Sequence, residues 1–452
     1  MKKVITYGTF DLFHEGHKKL LERAKALGDY LIVGVTSDYF DVRRGKVNVE
    51  QTLLERVDSI RKCGFADQII IEEYEGQKID DIQKYNVDVF AIGSDWLNIF
   101  DYLNKYCEVV YLDRTPKVSS TRIRKSRYGI VRLGFVGTGR IAGRQAHELK
   151  FVSGAERTAI YNPNLQSAES FMKKHEFAYA FSDYDTFLKE VDAVYIASPH
   201  STHFEYTRHA LNNGKHVLCE KPMVLSGNEA VTLFDIAKRK KLVLMEAIRT
   251  AYAPGFINLL AIAKSGRIGD IRDVETSVTK LLLKESNTRV YDPETGGSFT
   301  ELASSTLLPI IKLLGKNYTS LRFEFFNNDD NIDIYAKAHF KFDEATATSK
   351  TGIGVKSEGQ LLISGTKGYV LAKSPWWLTK SFEVCYEDPK ENEHFSAPFP
   401  AYGMRFELAD FVRHIRMPEL TNFKLSRSDS IALAEIMESF LKIRKAEREN
   451  AE

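Results

Sequence analysis

The sequence predicts an α/β protein in three parts: two parallel-sheet folds in succession, then an α+β unit with an open, mainly antiparallel sheet. Three observations carry this. Apolar strand-like runs alternate with helical patterns over roughly the first half of the chain, which is the βαβ rhythm of a parallel sheet. A strand, a glycine turn and a helix start occur twice, from Val4 to Leu20 and again from Ile130 to Ala142. Beyond Ile332 the hydrophobic period drops to two, as in a sheet that buries one face.

Totals narrow the class. At 452 residues the chain exceeds what one hydrophobic core supports and predicts two to four domains. Its 43% hydrophobic and 27% charged content is that of a globular protein, and 63 Lys+Arg against 61 Asp+Glu leave a net charge of +2. Neither a nucleic-acid partner nor a membrane surface is expected of such a balance. Cys63, Cys107, Cys219 and Cys385 are far apart; they form no metal-ligand spacing and read as reduced residues. Lys2-Lys3 could begin a signal peptide, but Asp11 and His14 interrupt the apolar run and no cleavage site follows. No window approaches the ~18 apolar residues of a membrane span. The expected address is the cytoplasm.

The first part opens on the strand Val4–Tyr7, the turn Gly8-Thr9-Phe10-Asp11 and the helix entry His14-Glu15-Gly16-His17. Strands at 30–35, 68–71, 87–92 and 109–112 alternate with helices such as Leu53–Cys63, so ligands are expected at the strand C-terminal ends. Two imidazoles flanking a glycine at a helix N-terminus can donate to phosphate oxygens, and Gly16 lets a nucleotide approach the backbone. No covalent intermediate is needed, because nucleotidyl transfer is mostly positioning and charge stabilisation at the α-phosphorus. Farther on, Ser119-Ser120-Thr121-Arg122 is a hydroxyl-rich helix start suited to a second phosphate.

These residues carry a resemblance. GTFDLFHEGHKKLLERAKALGDYLIVGV, Arg56, VDVFAIGSDW, CEVVYLDRT and VSSTRI resemble, in order, the glycerol-3-phosphate cytidylyltransferases of the HxGH nucleotidyltransferase superfamily. The resemblance implies that His14 and His17 stabilise the transition state, with Gly8, Thr9, Phe10 and Asp11 around the nucleotide. It implies phosphate contacts from Lys46, Arg114, Ser119, Ser120, Thr121 and Arg122, and puts Asp95-Trp96 near the nucleotide or acceptor. Read from the residues alone, Lys46 in Arg43-Arg44-Gly45-Lys46 is equally a solvated basic loop. Ser94 stands where the family commonly has Asp, and Pro116-Lys117 where it commonly has Glu-Gly. CTP with Mg²⁺ is the implied donor, and glycerol 3-phosphate or a related polyol phosphate the acceptor.

The second part, about 129–250, begins with Gly137-Thr138-Gly139-Arg140-Ile141-Ala142 after a strand and before a helix, with another strand at Arg157–Tyr161. That is the context a Rossmann dinucleotide fingerprint requires. No acidic residue follows the second strand, where Asn162-Pro163-Asn164 stands instead, so NAD and NADP are not separated. A buried strand then ends at Ser198-Pro199-His200, with His203 beyond, and a later one ends at Glu220-Lys221-Pro222. This set resembles the Gfo/Idh/MocA oxidoreductases, which implies that Lys221 binds the substrate oxygen and helps move its proton. Gly137, Thr138, Gly139, Arg140, Ile141, Asn162, Ser198, Pro199, His200, His203, Glu220 and Lys221 would contact the cofactor. Either histidine read alone is as well explained by packing.

The third part, 251–452, alternates Ile332, Ile334, Ala336, Ala338, Phe340 and Phe342 with Asp333, Tyr335, Lys337, His339 and Lys341. Residues 360–372 read as a hairpin, and apolar stripes at 408–415 and 433–441 as closing helices. In the resembled family such a sheet floors the substrate cleft and forms homodimers or higher homo-oligomers. The family pattern is Gly-Gly, an Asp, and a His or Tyr four residues later as proton donor. Here Gly296-Gly297 are followed by Glu301 and Ser305, and serine is a poor general acid at neutral pH. Lys221 alone, a substitute such as Tyr291 or His203, or a silent second half are the alternatives left open.

Overall fold

The computed structural model describes residues 1–47, 49–113, 130–284, 289–418 and 420–451; Arg114, Ser119, Ser120, Thr121 and Arg122 lie outside them. The described residues group into two compact units, 1–134 with 143–191 and 135–142 with 192–452.

Strands β1 (Lys3–Gly8), β2 (Tyr30–Thr36), β3 (Gln68–Glu72), β4 (Val89–Gly93) and β5 (Glu108–Leu112) form the first sheet, all parallel in the order β3-β2-β1-β4-β5. Val4, Val33 and Val89 bury one face with Leu21 and Ile60, while Ile5, Ile32 and Phe90 bury the other with Ile82 and Leu103. Burial on both sides explains why these strands read as unbroken apolar runs. The order reverses between β1 and β4, and a parallel sheet opens a crevice at such a point. The residues emerging there are Gly8 to Asp11 after β1 and Ser94 to Trp96 after β4.

The second sheet has β6 (Val131–Val136), β7 (Ala155–Tyr161), β8 (Tyr179–Phe181), β9 (Ala193–Ile196), β10 (His216–Glu220) and β11 (Leu244–Ala247), ordered β11-β10-β9-β6-β7-β8. This is the doubly wound order, reversing between β6 and β9. Gly137 emerges from β6 beside Ala197, which follows β9.

The third sheet, in the order β13-β14-β15-β12-β16-β17-β18-β19, comprises β12 (Ile271–Thr279), β13 (Ser320–Asn327), β14 (Asp333–Lys341), β15 (Thr346–Gly352), β16 (Leu361–Gly365), β17 (Tyr369–Ala372), β18 (Ser381–Cys385) and β19 (Glu393–Ser396). Its described pairings are antiparallel apart from the parallel β12–β15 pair. Ala336, Ala338 and Phe340 are buried as the period-2 pattern requires. Asp333 is the exception: expected on the polar face, it is fully buried. Its carboxylate accepts from the Phe299 N–H at 2.8 Å and the Ser298 hydroxyl at 2.9 Å, and pairs with Arg444 at 2.6 Å. The same Arg444 donates to the Gly296 carbonyl at 2.7 Å. The Gly-Gly turn is therefore clamped ahead of the helix Ser298–Leu314. A side chain at Gly297 (φ +112°) would put its Cβ 2.0 Å from the Asp333 carboxylate.

Candidate active sites

In the first fold the histidine pair forms the mouth of the helix Glu15–Lys25, with His14 as its N-cap. The His14 Nδ1 accepts the Gly16 N–H at 3.0 Å, so its neutral form carries the proton on Nε2, where it can donate to a phosphate oxygen. The His14 and His17 rings stack with centroids 3.8 Å apart and an interplanar angle of 20°. Gly16 has a definite duty, because a Cβ there would stand 2.9 Å from the His14 ring.

Buried cations and backbone donors hold the turn before this mouth. Thr9 donates through its hydroxyl to Asp41 at 2.8 Å, and Asp11 accepts from the Gln51 N–H at 2.9 Å and from Glu50 N–H at 3.2 Å. Burial pushes both carboxyls up, against the pull of Gln51 on Asp11 and of Arg44 on Asp41. Phe10 (φ +54°) and Leu12 (φ +48°) take left-handed backbone; Phe10 meets the His17 ring edge-on and Phe13 packs on it at a tilt. Arg56, which sequence analysis left without a role, is fully buried. Its guanidinium donates to the Thr9 carbonyl at 2.7 Å, the Thr36 carbonyl at 2.8 Å and the Gln51 carbonyl at 3.1 Å. It ties the β1 and β2 ends together.

Lys46 is not the solvated loop residue that its charge run allowed. It is half-buried, its ammonium donates to the Lys150 carbonyl at 2.9 Å, and burial pushes its pKa down to about 8. Asp95 bonds Arg157 at 2.8 Å. No local pattern in the sequence marks this pairing, because the partners lie 62 residues apart.

In the second fold the glycine turn is dictated sterically. Gly137 has φ +99°, and a Cβ there would lie 2.7 Å from the Ala197 carbonyl; Gly139 faces open space. Thr138, Gly139, Arg140 and Ile141 follow as the chain enters the helix Arg140–Leu149. A glycine facing open space at a helix start fits a dinucleotide's pyrophosphate. Asn162, at the end of β7, accepts the Asn164 N–H at 2.9 Å through Oδ1.

The Lys221 ammonium donates to the Glu301 carbonyl in the first turn of the helix Ser298–Leu314. The Glu301 carboxylate lies 3.7 Å from His200 Nδ1, and burial, then His203 and Lys221, hold His200 well below its ordinary pKa. His200 is therefore held in its neutral form. His203 is fully buried, with Nδ1 2.9 Å from the Pro222 carbonyl and Nε2 3.0 Å from the Ser198 carbonyl. It ties the two turns together. Pro199 caps the helix His200–Asn212, and the Ser198 hydroxyl accepts from Thr202 at 2.7 Å. Glu220 accepts the Tyr195 hydroxyl at 2.5 Å. Tyr291 spends its hydroxyl on the Leu282 carbonyl at 2.8 Å.

Behind Lys221-Pro222, Glu246 accepts the Met223 N–H at 3.0 Å, and burial pushes its carboxyl up to about 7. No motif flagged it, because one glutamate ending an apolar strand looks like an ordinary strand end. Among the described residues no cluster of three or more His, Cys, Asp or Glu could hold a metal, and no helix is long and apolar enough to cross a membrane.

Residues 5–126 match a family model described as cytidylyltransferase-like, and residues 131–248 match the Gfo/Idh/MocA model, an oxidoreductase family with an NAD-binding Rossmann fold. Glycerol-3-phosphate cytidylyltransferase of Bacillus spizizenii is 52% identical over 130 residues, 28% of this chain and 96% of that protein. The scyllo-inositol 2-dehydrogenase (NADP(+)) IolU of Bacillus subtilis is 27% identical over 320 residues, 68% of this chain and 95% of that protein. Among solved structures, KijD10, a 3-ketoreductase from Actinomadura kijaniata in complex with NADP and TDP-benzene, superposes with a TM-score of 0.60 at 22% identity, covering 69% of this chain and 96% of its own. A levoglucosan dehydrogenase in complex with NADH and levoglucosan gives 0.60 at 17%, covering 70% and 98%. At those identities the structural likeness shows the fold alone.

Proposed function

We propose, for a chain that belongs to the cytidylyltransferase-like family over its first fold and to the Gfo/Idh/MocA oxidoreductase family beyond it, that one polypeptide performs two successive steps. An NAD(P)-dependent step interconverts a phosphorylated carbonyl and a polyol phosphate. The first fold then transfers a cytidylyl group from Mg²⁺-bound CTP to that polyol phosphate. The product is a CDP-polyol, a precursor for teichoic-acid-like or capsular polymers made in the cytoplasm. Domains at 1–128, 129–250 and 251–452 are part of this reading.

In the transfer, a phosphate oxygen of the acceptor attacks the α-phosphorus of CTP, the bond to the bridging oxygen breaks, and pyrophosphate leaves. His14 and His17 donate to the oxygens on which charge develops. The observation that carries this half is the acceptance of the Gly16 N–H by His14 Nδ1, because it fixes the tautomer and so presents a donor to the nucleotide without any change of protonation.

A nicotinamide held in the second fold would supply or take up the hydride. Lys221 grips the substrate oxygen and moves its proton, with neutral His200 and the Glu301 carboxylate as the next groups along. Gly137 to Ile141 would hold the pyrophosphate, and Ser198, Pro199 and His200 would line the nicotinamide side. Asn162 at the β7 end does not itself separate the two cofactors, but it presents no carboxylate to repel a 2′-phosphate, and with the IolU relative named as an NADP(+) enzyme the cofactor of this reading is NADP(H).

A second reading has its own observation. The Lys221 ammonium is engaged by a backbone carbonyl, Tyr291 is spent, and Ser305 replaces the ring, which together suit a catalytically silent, cofactor-binding module attached to an active transferase. Incubating the protein with CTP, Mg²⁺, NADPH and a panel of ketose and aldose phosphates, with products read by mass spectrometry, separates the two. A CDP-polyol formed from a sugar phosphate supports the first reading. Transfer only to supplied polyol phosphates, with cofactor bound and never oxidised, supports the second.

A further inference from the structure

The transferase residues after β4 are gripped by the stretch that follows β6 and the helix Arg140–Leu149. Arg157, on β7, is buried to 8% exposure. Its Nη2 meets the Asp95 carboxylate at 2.8 Å and the Glu176 carboxylate at 3.4 Å, while its Nη1 donates to the His175 carbonyl at 2.9 Å. The Lys150 ammonium donates to the Asp95 carbonyl at 3.1 Å and stands 5.3 Å from the Trp96 ring centroid. Ser94 donates its hydroxyl to Glu176 at 3.1 Å. The loop bearing Lys46 is stapled to the same stretch: Val47 N–H donates to the Phe151 carbonyl at 2.9 Å, and Ser153 N–H to the Val47 carbonyl at 3.1 Å.

Ser94 now has a physical reason. Burial and a hydrogen bond with Asp95 already push the Glu176 carboxyl up to about 7, and a carboxylate at position 94 would add a second acidic neighbour to it. A hydroxyl donates to it instead. Ser94, which departs from the family pattern, and Asp95, which belongs to it, are thus both matched to groups borne on residues 150–176, beyond the first fold.

We infer that Arg157 and Lys150, borne on the segment that opens the second fold, are positioning residues of the cytidylyl-transfer site, holding Asp95 by its carboxylate and its carbonyl. The inference rests on the transferase reading above. Arg157 touches no substrate; it acts through Asp95. Removing the guanidinium takes the cation away from a half-buried carboxylate that also shares a hydrogen bond with Glu176, so that Asp95 reorients or the acidic pair takes up a proton. Either change withdraws Asp95 from the geometry that nucleotide binding requires. Lys150 fixes the backbone of the same residue, so its loss acts in the same direction and more weakly.

The test is a double-mutant cycle in the full chain. Pyrophosphate release is measured against CTP at saturating polyol phosphate for the wild type, Asp95→Asn, Arg157→Met, the double variant and Arg157→Lys, with NADPH fluorescence reporting whether the second fold is intact. Asp95→Asn and Arg157→Met should each lower kcat/KM for CTP by about tenfold or more, chiefly through KM. The double variant should be no worse than the poorer single one, and Arg157→Lys should recover part of the loss. Effects that multiply, or an Arg157→Met enzyme with wild-type kcat/KM, overturn the inference while leaving the transferase reading standing. Should Arg157→Met fail to fold, Arg157→Lys decides alone: an unchanged KM for CTP overturns the inference, and a raised KM at similar kcat supports it. A wild-type protein that releases no pyrophosphate overturns both.

Discussion

Both parallel sheets reverse their strand order beside a glycine turn, but the candidate reacting groups at the two turns are held differently. At the first, His14 and His17 come from one helix mouth four residues long, stacked at 3.8 Å and fixed by a backbone N–H. At the second, Lys221 ends β10, its ammonium is engaged by a helix that begins some 77 residues later, and the expected aromatic proton donor is a serine. Phosphate chemistry asks mainly for oriented donors, which one short motif supplies. Proton-coupled hydride chemistry asks for a matched acid or base as well, and that partner comes from another part of the chain, where it is free to drift.

The contrast is broken most strongly by paired substitutions. His17→Ala should cost cytidylyl transfer about 10³-fold and leave NADPH oxidation intact, as read by pyrophosphate release beside absorbance at the nicotinamide band. Lys221→Ala should cost NADPH oxidation about 10²-fold or more and leave transfer intact. Equal losses of both activities in either variant would mean that the sites are not separate chemistries. If Lys221→Ala changes nothing because nothing turns over, the second half is a binding module. A smaller effect sharpens the cofactor side: NADPH should bind roughly tenfold tighter than NADH, about 1.4 kcal/mol, in a fluorescence titration. The reverse preference would mean that the cofactor's ribose meets something other than the Asn162 turn.

How much of this was legible in the sequence varies with how local the cause is. The strands and helices of both nucleotide folds announced themselves, because burial on both faces writes continuous apolar runs and steric turns write glycines, as at Gly137 and Gly16. The closing sheet was legible from its period, except at Asp333. There a buried carboxylate serves the Gly-Gly turn and pairs with Arg444, 111 residues away, and no periodicity records such a link. Lys46, Asp95 and Ser94 were named as site residues or departures, while their partners Lys150, Arg157 and Glu176 were not. Those partners belong to a stretch whose pattern reads entirely as the start of the second fold.

The smallest effect tests a carboxyl behind the weaker site. Burial raises Glu246 from 4.5 to about 7, so its neutral form is favoured in the folded state. A raised pKa of this kind gives stability that is whole below the unfolded value of ~4.5 and is lost as pH rises through about 7, by on the order of 3 kcal/mol. Glu246→Gln keeps an acceptor for the Met223 N–H and removes the titration. The variant should therefore melt with the wild type near pH 4.5 and about 5–10 °C above it at pH 8, as followed by calorimetry across that range. A variant less stable than wild type at pH 8 would mean that Glu246 is ionised and paired with Lys221 through the turn between them. In that event the ammonium would be balanced from behind as well as engaged by the Glu301 carbonyl, and the second site would hold its group by fixed partners, as a backbone N–H holds His14 at the first.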